Sequence, residues 1–516
     1  MNNSATTTSA APTRGNWRSD AVFLLPCLAV ALLLRLYFFN GPSLFDDVNY
    51  WQQAIATGLD GAWPPERTHW HTRIGFILPC AALLKIFGLH VWVPYVFTML
   101  GGLLEIVVTF YIARELVSNR VARLAAWLCV FFPLNILNSS YLFTDLWVGL
   151  IGATSLLFWH RALRSDQGWD YARAAFCFGV AWLFRETIVM CGPIYMALWF
   201  HAGRWRRPKM LWAVPAGLVV LVAEMLLYQW TAGNWHYRVD AITASKEALI
   251  GDYAGSGNFL VRPVVRLFTN HECGLFLIAG LAVAAFQYRR LPTALALWLL
   301  VGFAWFSWGT TMPTKWVTLL NEPRYLSVLT IPCMTLLAVW VLGLRSSWWR
   351  GVVVGLLIAS GFIAAAMDLG RAKLGAYRSF AQSEYNRPGV VLEPVVYFGV
   401  RAAQSFSPEN VRFACASDWG RNMAVKLMPH LPQARLERCA AARYLVTTVQ
   451  IEPEKFQQKL KEGWRVVAEF PGDKIFAREL LHQVLARVRG RDCYIIPPPD
   501  LMVLAPPGAG ISGVTP

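Results

Sequence analysis

The chain has 516 residues, 56% of them hydrophobic and only 15% charged, and its mean hydropathy is +0.40. Apolar stretches recur at the length that crosses a bilayer, so a soluble protein is excluded. The formal net charge is +16, but the basic residues are scattered between apolar stretches and form no single basic face with aromatic residues. We therefore expect membrane lipids among the partners and no nucleic acid.

Residues 1–20 predict a cytoplasmic N-terminal tail followed by an uncleaved helix. The tail is rich in Ser, Thr and Ala and contains Arg14 and Arg18. No small-residue cleavage site follows a short apolar core, and the apolar run Ala21–Phe39 is long enough to remain as a membrane anchor. We expect this run to be the first transmembrane helix.

Residues 21–370 predict a polytopic α-helical membrane domain with about eleven transmembrane helices. The predicted spans are Ala21–Phe39, Trp92–Ile112, Val121–Leu137, Asp145–His160, Ala174–Phe184, Thr187–Phe200, Met210–Trp230, Cys273–Tyr288, Thr293–Gly309, Tyr325–Leu344 and Gly351–Leu369. A cytoplasmic N-terminus places every short, arginine-rich loop on the cytoplasmic side, as the positive-inside rule requires. The loops 40–91, 231–272 and 310–324 then face outward, and they are longer and carry mixed charges.

The apolar segment Arg73–Gly88 in the first outer loop is interrupted by Pro79 and Lys85. A spanning helix here would invert the topology of everything after it. We interpret the segment as a helix that lies in the membrane interface, because this choice keeps the arginine-rich loops on one side.

Residues 371–497 predict a small extracytoplasmic α/β domain, because an odd number of crossings sends this region to the outer side. Strands are predicted at Val411–Trp419, Arg443–Gln450, Trp464–Pro471 and Lys474–Glu479, and Glu452–Gly463 predicts a helix that ends at a glycine. Residues 498–516 are rich in Pro and Gly and predict a disordered tail.

The ten cysteines predict no extensive disulfide framework. Only Cys415, Cys439 and Cys493 lie in the polar C-terminal region, which allows at most one disulfide there. The others lie in or beside apolar stretches, where cysteine commonly acts as a small hydrophobic residue. They are Cys27, Cys80, Cys129, Cys177, Cys191, Cys273 and Cys333.

Two adjacent carboxylates, Asp46 and Asp47, follow the first span in the sequence LFDDVNYW. A helix cap or a solvated loop is one explanation of the pair. The functional explanation rests on a polar cluster in the same loop, whose members are Glu66, His69, His71 and Arg73. Two carboxylates near histidines can bind a divalent cation, with Asp46, Asp47 and His69 as its ligands, or one carboxylate can act as a general base. We expect no other cofactor.

An acidic pair just after the first transmembrane helix resembles the signature of the C-type-fold (GT-C) membrane glycosyltransferases. The likeness is to the family 39 group, which contains protein O-mannosyltransferases and lipid A aminoarabinose transferases. Further similar segments are TRIGFILPCAALLKIFG, Tyr111–Ile136, Tyr141–Phe158, Trp182–Trp199 and Asn321–Ala338, the last with a Pro-Arg-Tyr motif. The chain departs from the best-known members in having Asp-Asp instead of Asp-Glu and His71-Thr72 instead of a proline pair, which leaves the sugar and the acceptor open.

The resemblance implies a sugar donor linked to polyprenyl phosphate and a hydroxyl acceptor on a lipid, a glycan or a protein. Such a donor suits the predicted topology, because ATP and nucleotide sugars are not available on the outer face. The reaction is expected at the outer face of a bacterial-type inner membrane. Phosphate is a good leaving group, so the reaction needs no general acid. A carboxylate base activates the acceptor hydroxyl, and cations stabilise the charge on the leaving phosphate. A single attack inverts the anomeric centre.

Matching positions imply that Asp46 is the base and that Asp47 assists it, although the order of the two is open. For the donor phosphate, Arg324 is favoured first and Arg185 second, because charges in or at the end of spans are costly. Lys315 and Arg262 are further phosphate candidates, and Lys246 and Arg266 are outer-loop cations that equally suit lipid headgroups. Supporting or acceptor-binding residues are Glu66, His69, His71, Arg73, Asp145, Glu186, Glu322 and Tyr325. Structural ion pairs are the alternative, between Arg185 and either Asp145 or Glu186, and between Arg324 and Glu322.

Two other functions are compatible with this sequence. A polysaccharide polymerase or ligase has a similar number of spans and depends on Arg and His in a large late outer loop, as in Thr231–Glu272. That loop contains His236, Arg238, Arg262, Arg266 and His271. A transporter is the third possibility, but the spans show no clear internal repeat and the acidic residues cluster at one face.

Overall fold

The structure is a computed structural model of the chain, and it is mostly helical. The residues that it describes are 17–39, 46–59, 61, 70–88, 90, 92–203, 207–243, 262–269, 271–287, 291–309, 323–367, 390–392, 412–413, 444–448, 453–470, 501–505 and 507.

The described residues of the first half contain ten long or well-defined α-helices. They are α1 (Trp17–Tyr37), α2 (Asp46–Gly58), α3 (Ile74–Phe87), α4 (Val93–Leu116), α5 (Asn119–Val130), α6 (Pro133–Asn138), α7 (Asp145–Ser165), α8 (Gly168–Phe184), α9 (Gly192–His201) and α10 (Ala213–Ala232). Two 3-10 helices, Glu186–Cys191 and Pro208–Trp212, lead directly into α9 and α10. Residues 237–243 are also helical.

The second half continues with α11 (Arg262–Thr269), α12 (Gly274–Gln287), α13 (Thr293–Trp308), α14 (Thr330–Gly343) and α15 (Ser347–Met367). Short 3-10 helices at His271–Cys273 and Pro323–Leu329 precede α12 and α14. α14 is buried along most of its length and packs against α5, α12 and α13.

Six helical segments among the described residues are long and apolar enough to cross a membrane. They are Arg18–Tyr37, Val93–Leu116, Asp145–Ser165, Pro208–Ala232, Pro323–Gly343 and Ser347–Ala366. Shorter apolar helices are Ile74–Phe87, Leu275–Gln287 and Thr293–Trp308. The predicted polytopic helical architecture is therefore confirmed, whereas the count of eleven crossings stays a prediction.

The helix boundaries differ from the predicted spans in several places, and two of these differences are the most informative. Helix α1 begins at Trp17, inside the segment predicted as an N-terminal tail. The predicted span Val121–Leu137 is divided into α5 and α6. Pro133 occupies the first turn of α6, where its missing N–H is tolerated, but it cannot continue the hydrogen bonding of α5.

The acidic pair begins a helix that packs tightly on α3. Asp46 is the first residue of α2, so the pair does not lie in a plain loop. Near the other end of α2, a Cβ on Gly58 would lie 2.5 Å from the carbonyl oxygen of Ala81. Only glycine permits this approach, which holds α2 against the apolar helix α3. The prediction that Ile74–Phe87 is helical is confirmed, and its placement in the membrane interface stays a prediction.

A buried polar network joins α1, α4 and α6. The Arg35 guanidinium donates to Asn135 Oδ1, to Ser139 Oγ at 3.2 Å and to the Ala31 carbonyl at 2.8 Å. Asn135 Nδ2 in turn donates to the Glu105 carboxylate. A charge inside a bundle needs such partners, and the network fixes how these helices pack.

The C-terminal part contains a five-stranded sheet in the order β2-β1-β3-β5-β4. Its elements are β1 (Val390–Leu392), β2 (Arg412–Phe413), β3 (Tyr444–Thr448), α16 (Pro453–Lys461), β4 (Arg465–Phe470) and β5 (Leu501–Ala505). β1 pairs in parallel with β2 and β3, whereas β5 is antiparallel to β3 and β4. The predicted strands at 443–450 and 464–471 and the predicted helix at 452–463 match β3, β4 and α16, and the predicted strand Lys474–Glu479 lies outside the described residues.

The prediction of a disordered tail from residue 498 is wrong for residues 501–505. These residues form β5, which lies between β3 and β4, and Val503 and Leu504 are fully buried. The sequence LMVLA is apolar enough to be a central strand, and the Pro and Gly residues on both sides of it obscured this signal. The extracytoplasmic position of the region 371–497 stays a prediction.

The seven cysteines of the apolar stretches are free thiols, and six of them are buried. This result confirms that they act as small apolar residues. The three C-terminal cysteines lie outside the described residues.

Candidate functional site

The helical hairpin of α7 and α8 places an acid and a base side by side. The connection between the two helices is only two residues long, with Asp166 in the left-handed conformation at a φ of 51°. α8 therefore runs back along α7, and Arg185, directly after the end of α8, returns to Asp145 at the start of α7. The packed hairpin thus brings these two residues together.

Asp145 and Arg185 form a buried ion pair. Arg185 Nη1 lies 2.8 Å from Asp145 Oδ1 and 2.6 Å from Oδ2. Arg185 Nη2 donates to the Tyr325 hydroxyl at 2.9 Å, and its guanidinium carbon lies 4.5 Å from the centre of the Tyr325 ring. Of the two partners predicted for Arg185, the structure selects Asp145 for the direct ion pair, and Tyr325 joins it.

Arg324 of the Pro-Arg-Tyr motif lies at the same place. Its Nε atom is 4.0 Å from Asp145 Oδ2, and its guanidinium carbon lies 4.5 Å from the centre of the Phe143 ring. Ser327, one turn further on, donates a 2.6 Å hydrogen bond to the Asp145 backbone carbonyl. This bond and the close contact of Gly149 with Ser327 hold the 3-10 helix Pro323–Leu329 against α7.

Glu186 adds a carboxylate within reach of three arginines. It interacts electrostatically with Arg73, Arg185 and Arg238. Burial raises the pKa of its carboxyl, but the three arginines outweigh that effect and lower the pKa to about 2. Glu186 is therefore ionised at neutral pH, and its contribution to stability is present above pH 4.5 and is lost as the pH falls towards 2. Its Oε2 atom is buried and accepts no hydrogen bond from the described residues.

Arg238 belongs to a second buried ion pair, with Glu224 of α10. Arg238 Nε donates to Glu224 Oε1 at 2.6 Å, and Trp182 Nε1 donates to Glu224 Oε2 at 2.7 Å. Arg238 Nη2 and the Tyr228 hydroxyl both donate to the Thr72 carbonyl, at 2.5 and 2.9 Å. The pair thus ties α8 and α10 to the backbone directly before Arg73.

Replacing Glu224 with Gln is expected to destabilise the protein by about 3 to 5 kcal/mol, because Arg238 would keep its buried positive charge without a counter-ion. Thermal unfolding of the purified protein in detergent measures this effect. Glu462→Gln is the matched control, because Glu462 forms an exposed ion pair with Lys459, and exposed pairs contribute little to stability. Equal unfolding temperatures for the two variants would contradict the structural role of Glu224.

We call Arg73, Arg185, Arg238 and Arg324 the arginine cluster. Together with Asp145, Glu186 and Glu224, these residues place four guanidinium groups beside three carboxylates, an excess of one positive charge among the described residues. The buried Arg185 Nε and Arg238 Nη1 atoms donate no hydrogen bond to the described residues. Buried donors of this kind normally have an acceptor, and an anion would supply one.

The acidic pair lies close to this cluster along the backbone. Asp46 and Asp47 precede Tyr50 by about one helical turn in α2. The Tyr50 ring is buried against Phe76, and the guanidinium carbon of Arg73 lies 5.4 Å from the centre of that ring. The start of α2 and the start of α3 therefore meet at the edge of the arginine cluster.

The structure brings together most of the predicted site residues that it describes. These are Arg73, Asp145, Arg185, Glu186, Arg324 and Tyr325. His71 is buried two residues before Arg73. Outside the described residues lie Glu66, His69, Lys315, Glu322 and the side chains of Asp46, Asp47 and Arg262.

Sequence reasoning missed Glu224, Trp182 and the fixed position of Arg238. Glu224 is the single acidic residue in the apolar stretch Met210–Trp230, and an ionisable residue in a span is a signal of a functional or paired site. This signal was available from the sequence. No sequence signal identifies Trp182 as the second donor to Glu224, because the two residues lie 42 positions apart.

Among the described residues, no group of three His, Cys, Asp or Glu side chains could hold a metal ion. The predicted ligands Asp46, Asp47 and His69 have side chains outside that part of the chain. The cation site therefore stays a prediction.

Comparisons with known proteins agree with this architecture. The sequence model of the dolichyl-phosphate-mannose-protein mannosyltransferase family matches residues 76–228. The crystal structure of ArnT from Cupriavidus metallidurans in the apo state has a TM-score of 0.54 and 16% identity, and the match covers 87% of this chain and 96% of that chain. The structure of the same protein bound to undecaprenyl phosphate has a TM-score of 0.55 and 15% identity over the same shares. No curated protein sequence matches the chain.

The chain thus shares the fold of ArnT and resembles the C-type membrane glycosyltransferases. The structural likeness extends over most of the chain, although identities of 15% and 16% show a common fold and no more. Within that class, the chain resembles the family 39 group, as the acidic pair and the Pro-Arg-Tyr motif predict.

Proposed function

We propose that the protein is a glycosyltransferase that moves a sugar from a polyprenyl-phosphate donor to a hydroxyl acceptor at the outer face of the membrane. The observation that carries this proposal is the arginine cluster, which has an excess of positive charge among the described residues and in which Arg185 Nε and Arg238 Nη1 have no acceptor among those residues. A phosphate diester carries one negative charge and several acceptor oxygens, which suits both features.

Arg185 and Arg324 are the proposed contacts for the donor phosphate. Asp145 holds Arg185 in place through the ion pair, and the Phe143 ring supports Arg324. As the bond between the anomeric carbon and the phosphate oxygen breaks, negative charge builds up on the leaving phosphate. Guanidinium groups already fixed in position stabilise that charge without reorganising.

Asp46 and Asp47 are the proposed source of the base. One carboxylate takes the proton of the acceptor hydroxyl while the hydroxyl oxygen attacks the anomeric carbon, and the phosphate leaves with the bonding electrons. A single displacement inverts the anomeric configuration. Glu186, whose Oε2 atom lacks a donor among the described residues, is a proposed acceptor for a hydroxyl of the sugar or of the acceptor.

The ArnT structure with undecaprenyl phosphate supports a polyprenyl carrier for a protein of this fold. The acceptor class proposed here remains a lipid, a glycan or a protein. A divalent cation held by Asp46, Asp47 and His69 is part of the proposal, because carboxylates are preferred ligands of hard cations and imidazole binds transition metals.

Reconstitution of the purified protein into liposomes tests the function. The assay supplies a polyprenyl-phosphate sugar on the outer face with a short hydroxyl acceptor, and mass spectrometry detects the new glycosidic bond and its anomeric configuration. We expect an inverted product and free polyprenyl phosphate in equal amounts. Transfer that stops on chelation and recovers with Mg²⁺ or Mn²⁺ would support the cation, and substrate flux without a new bond would instead indicate a transporter.

A further inference from the structure

A cationic cavity lies at the opposite end of α7 from the arginine cluster. It has a volume of about 510 Å³ and is lined by the last turns of α7 and α9, by Arg207, and by the start of α13. In α7, His160 and Arg164 follow Asp145 by 15 and 19 positions, which is a distance of about 22 to 28 Å along the helix. The cavity is therefore separate from the proposed donor site.

Two arginines, two histidines and a threonine make up the polar lining of this cavity. They are Arg164 and His160 from α7, His201 from the end of α9, Arg207, and Thr293 at the start of α13. The twelve described residues that line the cavity include no Asp or Glu. Arg207 is buried and anchored, since it donates to the Leu163 carbonyl at 2.5 Å and to the Tyr171 hydroxyl at 3.4 Å.

The backbone adds to this positive field. Thr293 begins α13, and the Leu295 and Ala296 N–H groups are bonded to the Pro292 carbonyl. The positive end of a helix dipole favours anions, so the basic side chains and the start of α13 favour the same ligand charge.

Apolar side chains also line the cavity. They are Leu116, Leu163, Leu198 and Leu295. Arg164 and His201 are exposed, so the cavity is accessible from outside the bundle. A ligand that matches both the basic and the apolar side chains of this lining carries a phosphate group next to an apolar part.

We propose that this cavity, formed by His160, Arg164, His201 and Arg207, binds a phosphate ester, and that the headgroup of an anionic phospholipid is its occupant. Cationic pockets between membrane helices attract such headgroups, and the leucine side chains that line the cavity suit the acyl chains. The site is independent of the proposed transfer reaction, because His160 and Arg164 lie at the end of α7 that is far from Asp145.

Native mass spectrometry of the protein, purified with phosphatidylglycerol or with phosphatidylethanolamine, tests this inference. The wild-type protein is expected to retain phosphatidylglycerol selectively. Arg164→Gln is expected to weaken retention about fivefold, and the charge reversal Arg164→Glu more than that. Arg164 is exposed, so both variants are expected to fold, and their unfolding temperatures in detergent check this.

Arg345→Gln is the matched control, because Arg345 is an exposed arginine that does not line the cavity. It is expected to retain the lipid as the wild type does. A second arm adds inorganic phosphate to delipidated protein. The alternative outcome is that inorganic phosphate raises the unfolding temperature of the wild type but not of Arg164→Glu, while neither lipid is retained selectively. That result would assign the site to a soluble phosphate. Equal retention of both lipids together with no effect of phosphate would overturn the proposal, as would an Arg164→Glu variant that behaves like the wild type.

Discussion

Asp46→Asn and Asp47→Asn are expected to lower the rate of sugar transfer by about 10²- to 10⁴-fold, the usual contribution of a positioned general base. The substitution removes the negative charge and the ability to accept a proton while it keeps the size of the side chain. The variant that lacks the base is expected to lose kcat, and the variant that lacks its assisting partner is expected to lose less. Steady-state kinetics in liposomes with a polyprenyl-phosphate sugar measure the two effects separately.

Asp240→Asn provides the control for these variants. Asp240 is an exposed carboxylate that accepts a 2.8 Å hydrogen bond from Asn234, and it lies two residues after Arg238 of the arginine cluster. Asp240→Asn changes the charge near the site but keeps the base. The rate of transfer is therefore expected to stay within about twofold of the wild-type rate, since exposed pairs contribute little. Full activity in both Asp46→Asn and Asp47→Asn would reject the assignment of the acidic pair to catalysis.

Arg185→Gln is expected to affect both stability and transfer, and a double variant separates the two effects. The single substitution leaves the buried Asp145 carboxylate without its direct ion-pair partner and, among the described residues, with only the more distant Arg324, which costs up to about 3 to 5 kcal/mol of stability. In Arg185→Gln/Asp145→Asn both members of the pair are neutral, so most of that stability is expected to return.

The rate of transfer in the double variant is expected to stay about 10²- to 10³-fold below the wild-type rate, because the guanidinium that stabilises the leaving phosphate is still missing. Thermal unfolding in detergent and transfer kinetics are measured on the same preparations. Arg161→Gln is the control, because Arg161 pairs with Glu115 at the opposite end of α7 and is half-exposed. If stability and transfer return together in the double variant, then Arg185 has a structural role only.

Several features of the site followed from the sequence because they depend on local chemistry. An arginine after a long apolar run, as in Arg185, must have a partner, and Asp145 was one of the two candidates. The structure decided between Asp145 and Glu186 through the length of the α7–α8 hairpin, which brings the end of α8 back to the start of α7. The adjacent residue Glu186 interacts with three arginines instead of forming the direct ion pair with Arg185.

The missed contacts share a physical cause. Glu224 is joined to Trp182 and to Arg238 by hydrogen bonds across 42 and 14 positions, and Thr72 accepts hydrogen bonds from Tyr228 and Arg238 across 156 and 166 positions. Composition and periodicity report on neighbours within a few turns of a helix, so they contain no record of such pairs. In the same way, strand β5 depends on the register of its pairing with β3 and β4, which the flanking Pro and Gly residues gave no reason to expect.

The sequence by itself determined that this is a helical membrane protein with an acidic pair beside its first span, because hydropathy and charge are additive along a chain and need no knowledge of contacts. Only the tertiary structure decided which arginines gather, which carboxylates neutralise them and where cationic cavities remain. These outcomes depend on how the helices pack, and packing is set by shape complementarity between residues far apart in the chain.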